Sequence, residues 1–537
     1  MNSYQPFLIA DFSTGLELGK EPWLLPKDAF TTMEDAMIHR GVLEKRRGYT
    51  SFMSTGQGLA ITGIFHLMDS QGARIQLVAD QSYLYEHVST GLTMVSHAQR
   101  GSNPVWTGQP TDFIHWANWQ GKVFMTNNLP VMGETVSGDG TGTDGIQVYN
   151  GSIFQALRPD LSGSGDYVDQ CAFLMVHKER LILFATLEDG TLHLQRARWC
   201  KPGNPEDWTN DGFVDAPTGE TLRGVASLRD EIVAWFSNSV WLLRYTGGSD
   251  LPLRWEKVSS VDGCGAPFSV VAFQDNSLAL GKAGPVLTDG MDACRVDEKI
   301  PDLALGFDQE HMNACFGMVL EDQSQYWLLF PFAGSESADR VLVLNYENWS
   351  WSIFNLAFNC LGLHTLDQNT IWLASPPDPV KDMSDETWEA CAEKWVTNSV
   401  QAGYPMVLAG DRAGNVHRLN NSASDGENGE IGFDVVSGRW NPFREYGVKA
   451  RLGYVDFLLE TSPAQALNVD FFKDTRQTAY LTRQLAFDRE GEKAWVRLYS
   501  GATGAFHRIR LYHKAEGQNI RIHAIMPWFK PAGRIIP

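Results

Sequence analysis

No CxxC pair occurs among the seven scattered cysteines, so a disulfide framework is not expected and the thiols are read as free and kept reduced. No stretch of ~20 apolar residues occurs, so no membrane-spanning helix is expected. Residues 1–10 carry neither a basic n-region nor a long apolar run, so no signal peptide is expected there. Positive charge is scarce: 44 Lys and Arg face 64 Asp and Glu, a net charge of -20. A balance that acidic speaks against a wrapped nucleic-acid ligand.

The motifs of catalysis and metal binding are missing too. His177, His193, His311 and His417 stand alone, with no HxxxH or HExxH spacing, and read as turn or core histidines. Gly138 to Gly145 (GDGTGTDG) is superficially like a calcium loop, but it lacks acidic or amide residues at the third and fifth positions and a terminal Glu. No strand-then-helix context surrounds it, which speaks against a dinucleotide or phosphate cradle. No GxSxG elbow occurs. Cys171 lies close to His177 in sequence and reads as a core residue. Asp275, Asp289 and Asp292 fall near strand ends, where a glycosidase could carry its acid pair. Dozens of other acids would serve as well, so no catalytic, cofactor-binding or metal site is assigned, and no cofactor.

What the chain has in abundance is glycine (50), tryptophan (18) and short apolar strands. Tyr326 to Phe330 ends at Pro331; Val341 to Leu344 follows; Asn345 to Asn348 makes a polar turn into a strand with Trp349, Trp351 and Ile353 on one face. Three strands joined by turns, with no helix between, make a meander, the unit of a propeller blade. Similar units begin near Ile61, Phe113, Val168, Leu222, Phe268, Met312 and Leu361, a spacing of ~40–50 residues. No Trp-Asp or kelch signature recurs. The expected fold is all-β: a six- or seven-bladed β-propeller over 56–421, then a C-terminal antiparallel β-sandwich (platform) over 438–537, with 422–437 as linker. The sandwich strands are expected at Gly447 to Glu460, Ala466 to Lys473, Lys493 to Tyr499, His507 to Tyr512 and Asn519 to Pro527.

Other segments fit around this frame. Residues 1–55 lack a core of their own and are expected to pack on the other domains, adding strands to the sandwich or a blade. Asp28 to Met37 reads as one short helical turn, and Lys45-Arg46-Arg47 as a solvated basic turn. Within the insertion 376–401, Ser384 can N-cap a helix carrying Trp388, Cys391 and Trp395 on one face. Gly133 to Gly145 is a candidate gate or surface loop, with Gly133, Gly138, Asp139, Gly140, Gly142, Asp144 and Gly145 giving it backbone freedom and little to bury.

The opening pattern Gly15-Leu16, Trp23-Leu24-Leu25-Pro26, Asp28-Ala29 and Arg40-Gly41-Val42-Leu43-Glu44-Lys45-Arg46-Arg47-Gly48-Tyr49 resembles the start of tail nozzle proteins of short-tailed bacteriophages, also called tail tubular protein B or packaged-DNA stabilisation proteins. So do Gly284 to Gly290, Tyr326 to Pro331, the Trp349-Ser350-Trp351 stretch and the ending Phe529-Lys530-Pro531-Ala532-Gly533-Arg534. The pattern departs at Asp35-Ala36, where the family has an Asn-rich stretch, and at the 376–401 insertion. The resemblance implies a virion structural protein, assembled in the host cytoplasm and not an enzyme. Copies form a homo-hexameric ring below the portal and adaptor, with tail fibres or tailspikes as further partners. Genomic DNA passes transiently through the ring's lumen, which loops close until ejection. Six chains would carry six times -20, a wall that does not grip DNA. The alternatives are a propeller-type module binding a host receptor or glycan, and a glycan-degrading enzyme.

Overall fold

The structure is a computed structural model that describes residues 3–535 except 70–71, 73, 89–90, 128–143, 164, 210–211, 249–250, 261, 305, 333, 366–404, 427–428, 462–466, 486–492 and 518. The regular secondary structure of the described residues is almost all strand, arranged in propeller-like antiparallel units. Five separate four-stranded sheets follow one another, each a meander. They start with the strands Ile61–Met68, His115–Trp119, Val168–His177, Leu222–Leu228 and Val271–Phe273. A further four-strand run, Phe316–Leu320, Gln325–Phe330, Arg340–Asn345 and Ser350–Phe354, belongs to a ten-stranded sheet. The last four-stranded sheet takes Cys360–Thr365, Pro405–Gly410 and Asn415–Ser422 from late in the chain and Gly48–Ser54 from its beginning.

Tight turns set the register inside these units. Trp119 pairs with Lys122 across Gln120 and Gly121, both at positive φ, and Glu188 pairs with Thr191 across Asp189 and Gly190 in the same conformation. Two residues of positive φ match the right-handed twist of the flanking strands. The inner strands alternate little and are buried on both faces, because neighbouring sheets cover them. Successive sheets share apolar clusters. Phe65, Leu77, Val123 and Phe154 join the first to the second, and Phe184, Trp199, Leu222 and Trp241 join the third to the fourth. The cluster of Ile61, Ile64, Cys360 and Leu408 joins the last sheet back to the first.

The remaining strands form two larger sheets. One runs Ala494–Gly504, Val448–Thr461, Ile520–Arg534, Val42–Lys45, Ala36–His39, with Gln5–Pro6 added on Ile520–Arg534. The ten-stranded sheet continues from Ser350–Phe354 through Ala29–Glu34, Ile431–Ser437, His507–Ala515, Leu467–Lys473 and Leu481–Leu485. Here the period is two: Ile431–Ser437 buries every other residue, as does His507–Ala515. Their inward faces meet in one cluster that includes Leu43, Phe433, Val455, Phe457, Leu511 and Ile522.

Four expectations are corrected. Asp28 to Met37 is not a helical turn but two strands, Ala29–Glu34 and Ala36–His39, broken by Asp35 at φ 51°. Residues 422–437 are not a linker throughout, because Ile431–Ser437 pairs on both edges, with Ala29–Glu34 and His507–Ala515. Trp349 does not share a strand face with Trp351. It sits in the turn at φ 54°, 36% exposed, while Trp351 and Ile353 are buried. Lys45 and Arg46 are not solvated; both are buried, and only Arg47 is exposed. The 376–401 insertion, with the helix expected in it, lies outside the described residues.

The buried Arg46 is held by two carboxylates. Its Nε donates to Asp35 Oδ1 (2.5 Å), and Nη1 and Nη2 donate to the two oxygens of Asp425 (2.8 and 2.7 Å). Asp35 also accepts the Asn355 backbone N–H (2.9 Å) and side-chain amide (3.0 Å). Burial works against the Arg46 charge, but the Asp425 and Asp35 carboxylates outweigh it and hold its pKa above the ordinary value. Burial, aided by the Arg46 charge, lowers the neighbouring Lys45 to about 8, and its Nζ donates to the Ala515 carbonyl (3.1 Å). Removing one partner of such a buried pair strands the others. Arg46→Met should therefore cost about 3–5 kcal/mol, read as a lower urea midpoint; a midpoint equal to wild type would show that the node is not structural.

Candidate functional site

The first strands of neighbouring units pack on one another: Ile61–Met68 on His115–Trp119, His115–Trp119 on Val168–His177, Leu222–Leu228 on Val271–Phe273, Val271–Phe273 on Phe316–Leu320, and Cys360–Thr365 on both Phe316–Leu320 and Ile61–Met68, so that the residues just before and within them face a common centre, the axis of the units. Phe113 is fully buried there. Its ring lies edge-on to Phe268 (5.2 Å between centroids) and to Phe316 (5.1 Å), while Phe268 stacks on Phe316 at 6.1 Å. Phe173 and His115 close the group from the third and second units, at 6.1 and 6.3 Å from Phe268. The axis of the single chain is thus filled by aromatic rings at this level.

Phe268 reaches the axis on a single 3-10 turn, Pro267–Ser269. Ser269 pins the turn: its Oγ donates to the Ala266 carbonyl (2.7 Å) and accepts the Leu280 N–H (2.8 Å). The buried Tyr326 hydroxyl donates to the Ser269 carbonyl (3.0 Å). Gly317 lets Tyr326 approach, since a Cβ there would stand 2.9 Å from the ring and from Ser269 O.

Two cavities lie nearby: the first touches the aromatic group through Phe173 and Phe268, and the second shares Arg223 and Asn313 with the first. One, about 210 Å³, is lined by Asp112, Phe173, Leu222, Arg223, Phe268 and Asn313 among others. The second, about 300 Å³ and more polar, is lined by Arg223, Ser237, Lys282, Gln309, Glu310 and Asn313 with Cys264, Gly265 and Met312. Burial raises the Asp112 carboxyl pKa and pushes the Cys264 thiol up to about 12, so that thiol is no nucleophile at neutral pH. His115, half-buried between the second and third units, is pushed down to about 4 by desolvation, and its Nδ1 accepts weakly from Leu174 N–H (3.5 Å).

The residues singled out by sequence scatter over the molecule. Gly133, Gly138, Asp139, Gly140 and Gly142 lie outside the described residues. Asp144 is not part of an exposed loop: it is 2% exposed and accepts from Thr107 N–H (2.8 Å) and Asn127 Nδ2 (2.5 Å), with Gly145 next to it. A carboxylate with that many donors is drawn inward to satisfy them. Gly41 closes the hairpin turn with Arg40, both at positive φ; Leu43 is buried in the large cluster. Gly48 passes so close to Ser424 that a Cβ would stand 2.0 Å from its carbonyl oxygen. Pro531, Gly533 and Arg534 lie exposed on the last strand, Gly533 at φ 74°.

The acids and histidines do not converge. Asp275 pairs with Arg229 (3.1 Å). Asp289 accepts the Met291 and Asp292 N–H groups, which lower its pKa, and faces neither cavity. Cys171 and His177 occupy one strand six residues apart, about 20 Å at ~3.3 Å per residue. His311 pairs with Asp308 (3.0 Å) and His417 with Asp411 (3.1 Å), while His177 and His193 sit on separate strands of the third unit. Among the described residues no group of three or more His, Cys, Asp or Glu is placed to hold a metal ion. No disulfide joins the six described cysteines, and no described helix is long and apolar enough to cross a membrane.

No family model and no curated protein matches the chain. A similar solved structure is PorZ of Porphyromonas gingivalis, described as an essential bacterial surface component of its type-IX secretion system. The likeness has a TM-score of 0.34 at 9% identity and covers 58% of this chain and 35% of that one. At that level it says nothing of function.

The residues that meet on the axis come from units up to two hundred positions apart, and neither Phe268 nor Arg223 sits in a motif. Their placement yields a pH prediction. Between about pH 6.5 and 4 the unfolded chain takes up a proton at His115 that the folded chain refuses, so stability falls as pH drops through that window. His115→Gln should remove about 2–3 kcal/mol of that pH dependence, measured as the difference in urea unfolding free energy between neutral pH and pH ~4. An unchanged dependence would show that His115 does not titrate this way.

Proposed function

We propose that this chain is a tail nozzle protein of a short-tailed bacteriophage, a structural component of the virion. In this reading six copies form a ring below the portal and adaptor, close the DNA exit channel, and conduct the genome at ejection. The four-stranded units are read as seven propeller blades, the last completed by Gly48–Ser54, and the two larger sheets as the β-sandwich platform. Assembly occurs in the host cytoplasm, with the adaptor as the principal partner and fibres or tailspikes as further ones.

The observation that carries the reading is where the family-like residues sit. Leu43, Arg46, Gly48 and Trp351 all lie on the seam between the blades and the larger sheets, in buried or closely packed positions. A seam locked by a buried ion pair holds two units at a fixed angle, which a ring confining packed DNA requires. The filled axis adds a constraint. With Phe113, Phe268 and Phe316 in its centre, the single propeller leaves no route for a duplex, so the lumen of such a ring lies between subunits. Its acidic wall would repel the phosphate backbone and let it slide.

A second reading, a binding module, is favoured by the polar cavity beside the axis. The glycan-degrading alternative has no such support, because Asp275, Asp289 and Asp292 are engaged in an ion pair and a turn. Mass photometry of the full chain, alone and mixed with its adaptor, tests the nozzle. A six-copy ring, formed alone or on the adaptor, is expected. A chain that stays monomeric in both mixtures would overturn the proposal.

A further inference from the structure

The structure assigns an anion-binding site to the 300 Å³ cavity beside the propeller axis, with Arg223 as the principal receptor and Lys282 as its second cation. The ligand class is a compact oxyanion, a phosphate or a carboxylate. This inference stands apart from the nozzle reading and does not need it.

The site starts from a backbone irregularity. In the fourth unit Leu222 pairs with Phe236 and Gly224 with Trp235, so Arg223 is the extra residue of a β-bulge. A bulge re-aims the side chain it carries and is found beside functional sites more often than chance. The same shift occurs at the start of the first strand in two other units, at Thr62 and at Asp169. In those units the bulged side chain has protein partners. Thr62 Oγ1 donates to the Asp80 carbonyl (2.9 Å), and Asp169 faces Arg158 (3.9 Å). Arg223 forms no hydrogen bond or ion pair among the described residues, and its Nε is buried without a partner. Gly224 keeps the bulge in place, since a Cβ there would stand 2.5 Å from Val270 Cγ2 and 3.1 Å from the Pro267 carbonyl.

A buried Nε without a partner also occurs at Arg439; at Arg223 it goes with a cavity that a second cation, Lys282, lines as well. Carboxylates outnumber Lys and Arg by 64 to 44, so partners are plentiful, and Arg46, Arg196, Arg198, Arg497 and Arg510 each have one. Glu310 lines the same cavity as Arg223 and makes no ion pair with it. Leaving a buried N–H unsatisfied costs about 1–3 kcal/mol, a cost that a bound oxyanion would remove. A guanidinium is suited to the task because its planar donors match two oxygens of a carboxylate or phosphate at once. Lys282 supplies a second positive charge; among the described residues its Nζ donates to the neutral Asn238 Oδ1 (3.0 Å) and forms no ion pair. Ser237, Gln309 and Asn313 add neutral donors around the same space. The volume lies at the small end of ligand sites, enough for more than the anionic group alone. Glu310, as an acceptor, suits a ligand that also bears hydroxyl groups.

Isothermal titration of the full-length protein at constant ionic strength tests the site, with inorganic phosphate and D-glucuronate as separate probes. At least one should bind saturably at a single site, and which one does so identifies phosphate or carboxylate as the preferred group. Arg223→Gln should weaken that binding by about tenfold or more, while Arg229→Gln, at an exposed ion pair, should leave it unchanged. Lack of saturation with both probes overturns the assignment, as does equal binding by Arg223→Gln and wild type. Should Arg223→Gln fail to fold, Lys282→Gln decides: weaker binding supports the site, and an unchanged affinity overturns it.

Discussion

Arg46 is a full positive charge taken out of water, and the rest of the architecture is arranged so that it keeps its partners. Asp35 comes from the break between two N-terminal strands, Asp425 from the end of the last blade-like sheet, and Asn355 from the strand end of the preceding unit. If these elements separate, a guanidinium and two carboxylates are left without partners in a low-dielectric interior. The node therefore penalises every arrangement but one. It acts on the same stretch that threads Val42–Lys45 into one sheet and Gly48–Ser54 into another.

That threading explains how units that are individually too small become one body. Ala29–Glu34 lies between Ser350–Phe354 and Ile431–Ser437, so the ten-stranded sheet exists only because an N-terminal strand fills its middle. Gly48–Ser54 completes the sheet of Cys360–Thr365, next to the sheet of Ile61–Met68 that follows it in sequence. A ring of sheets closed by a strand from the opposite end of the chain resists opening, because the first and last units cannot part without breaking a ladder. The axis inside the ring is then packed with aromatic rings, and the bulges at Thr62, Asp169 and Arg223 turn side chains away from the regular pleat next to it.

Sequence alone determined the class and much of the punctuation. Apolar runs of five to nine residues between Gly and charged turns made an all-β chain of repeated meanders legible, and the starts expected near Ile61, Val168 and Leu222 coincide with observed strands. The late strands were legible as well, because a sheet buried on one face writes its period of two into the residues. Tertiary structure decided everything that depends on partners distant in sequence. Lys45-Arg46 looks like a solvated turn because local composition cannot show a carboxylate 379 residues away. Ile431–Ser437 hid behind a Gly- and Ser-rich lead-in, and Trp349 itself takes a left-handed turn conformation before its strand, which no alternation predicts. The Phe113–Phe268–Phe316 group and the unpaired Arg223 were invisible for the same reason. A propeller-like ring assembles its centre from one short segment per unit, so the chemistry there is written in no contiguous stretch of the chain.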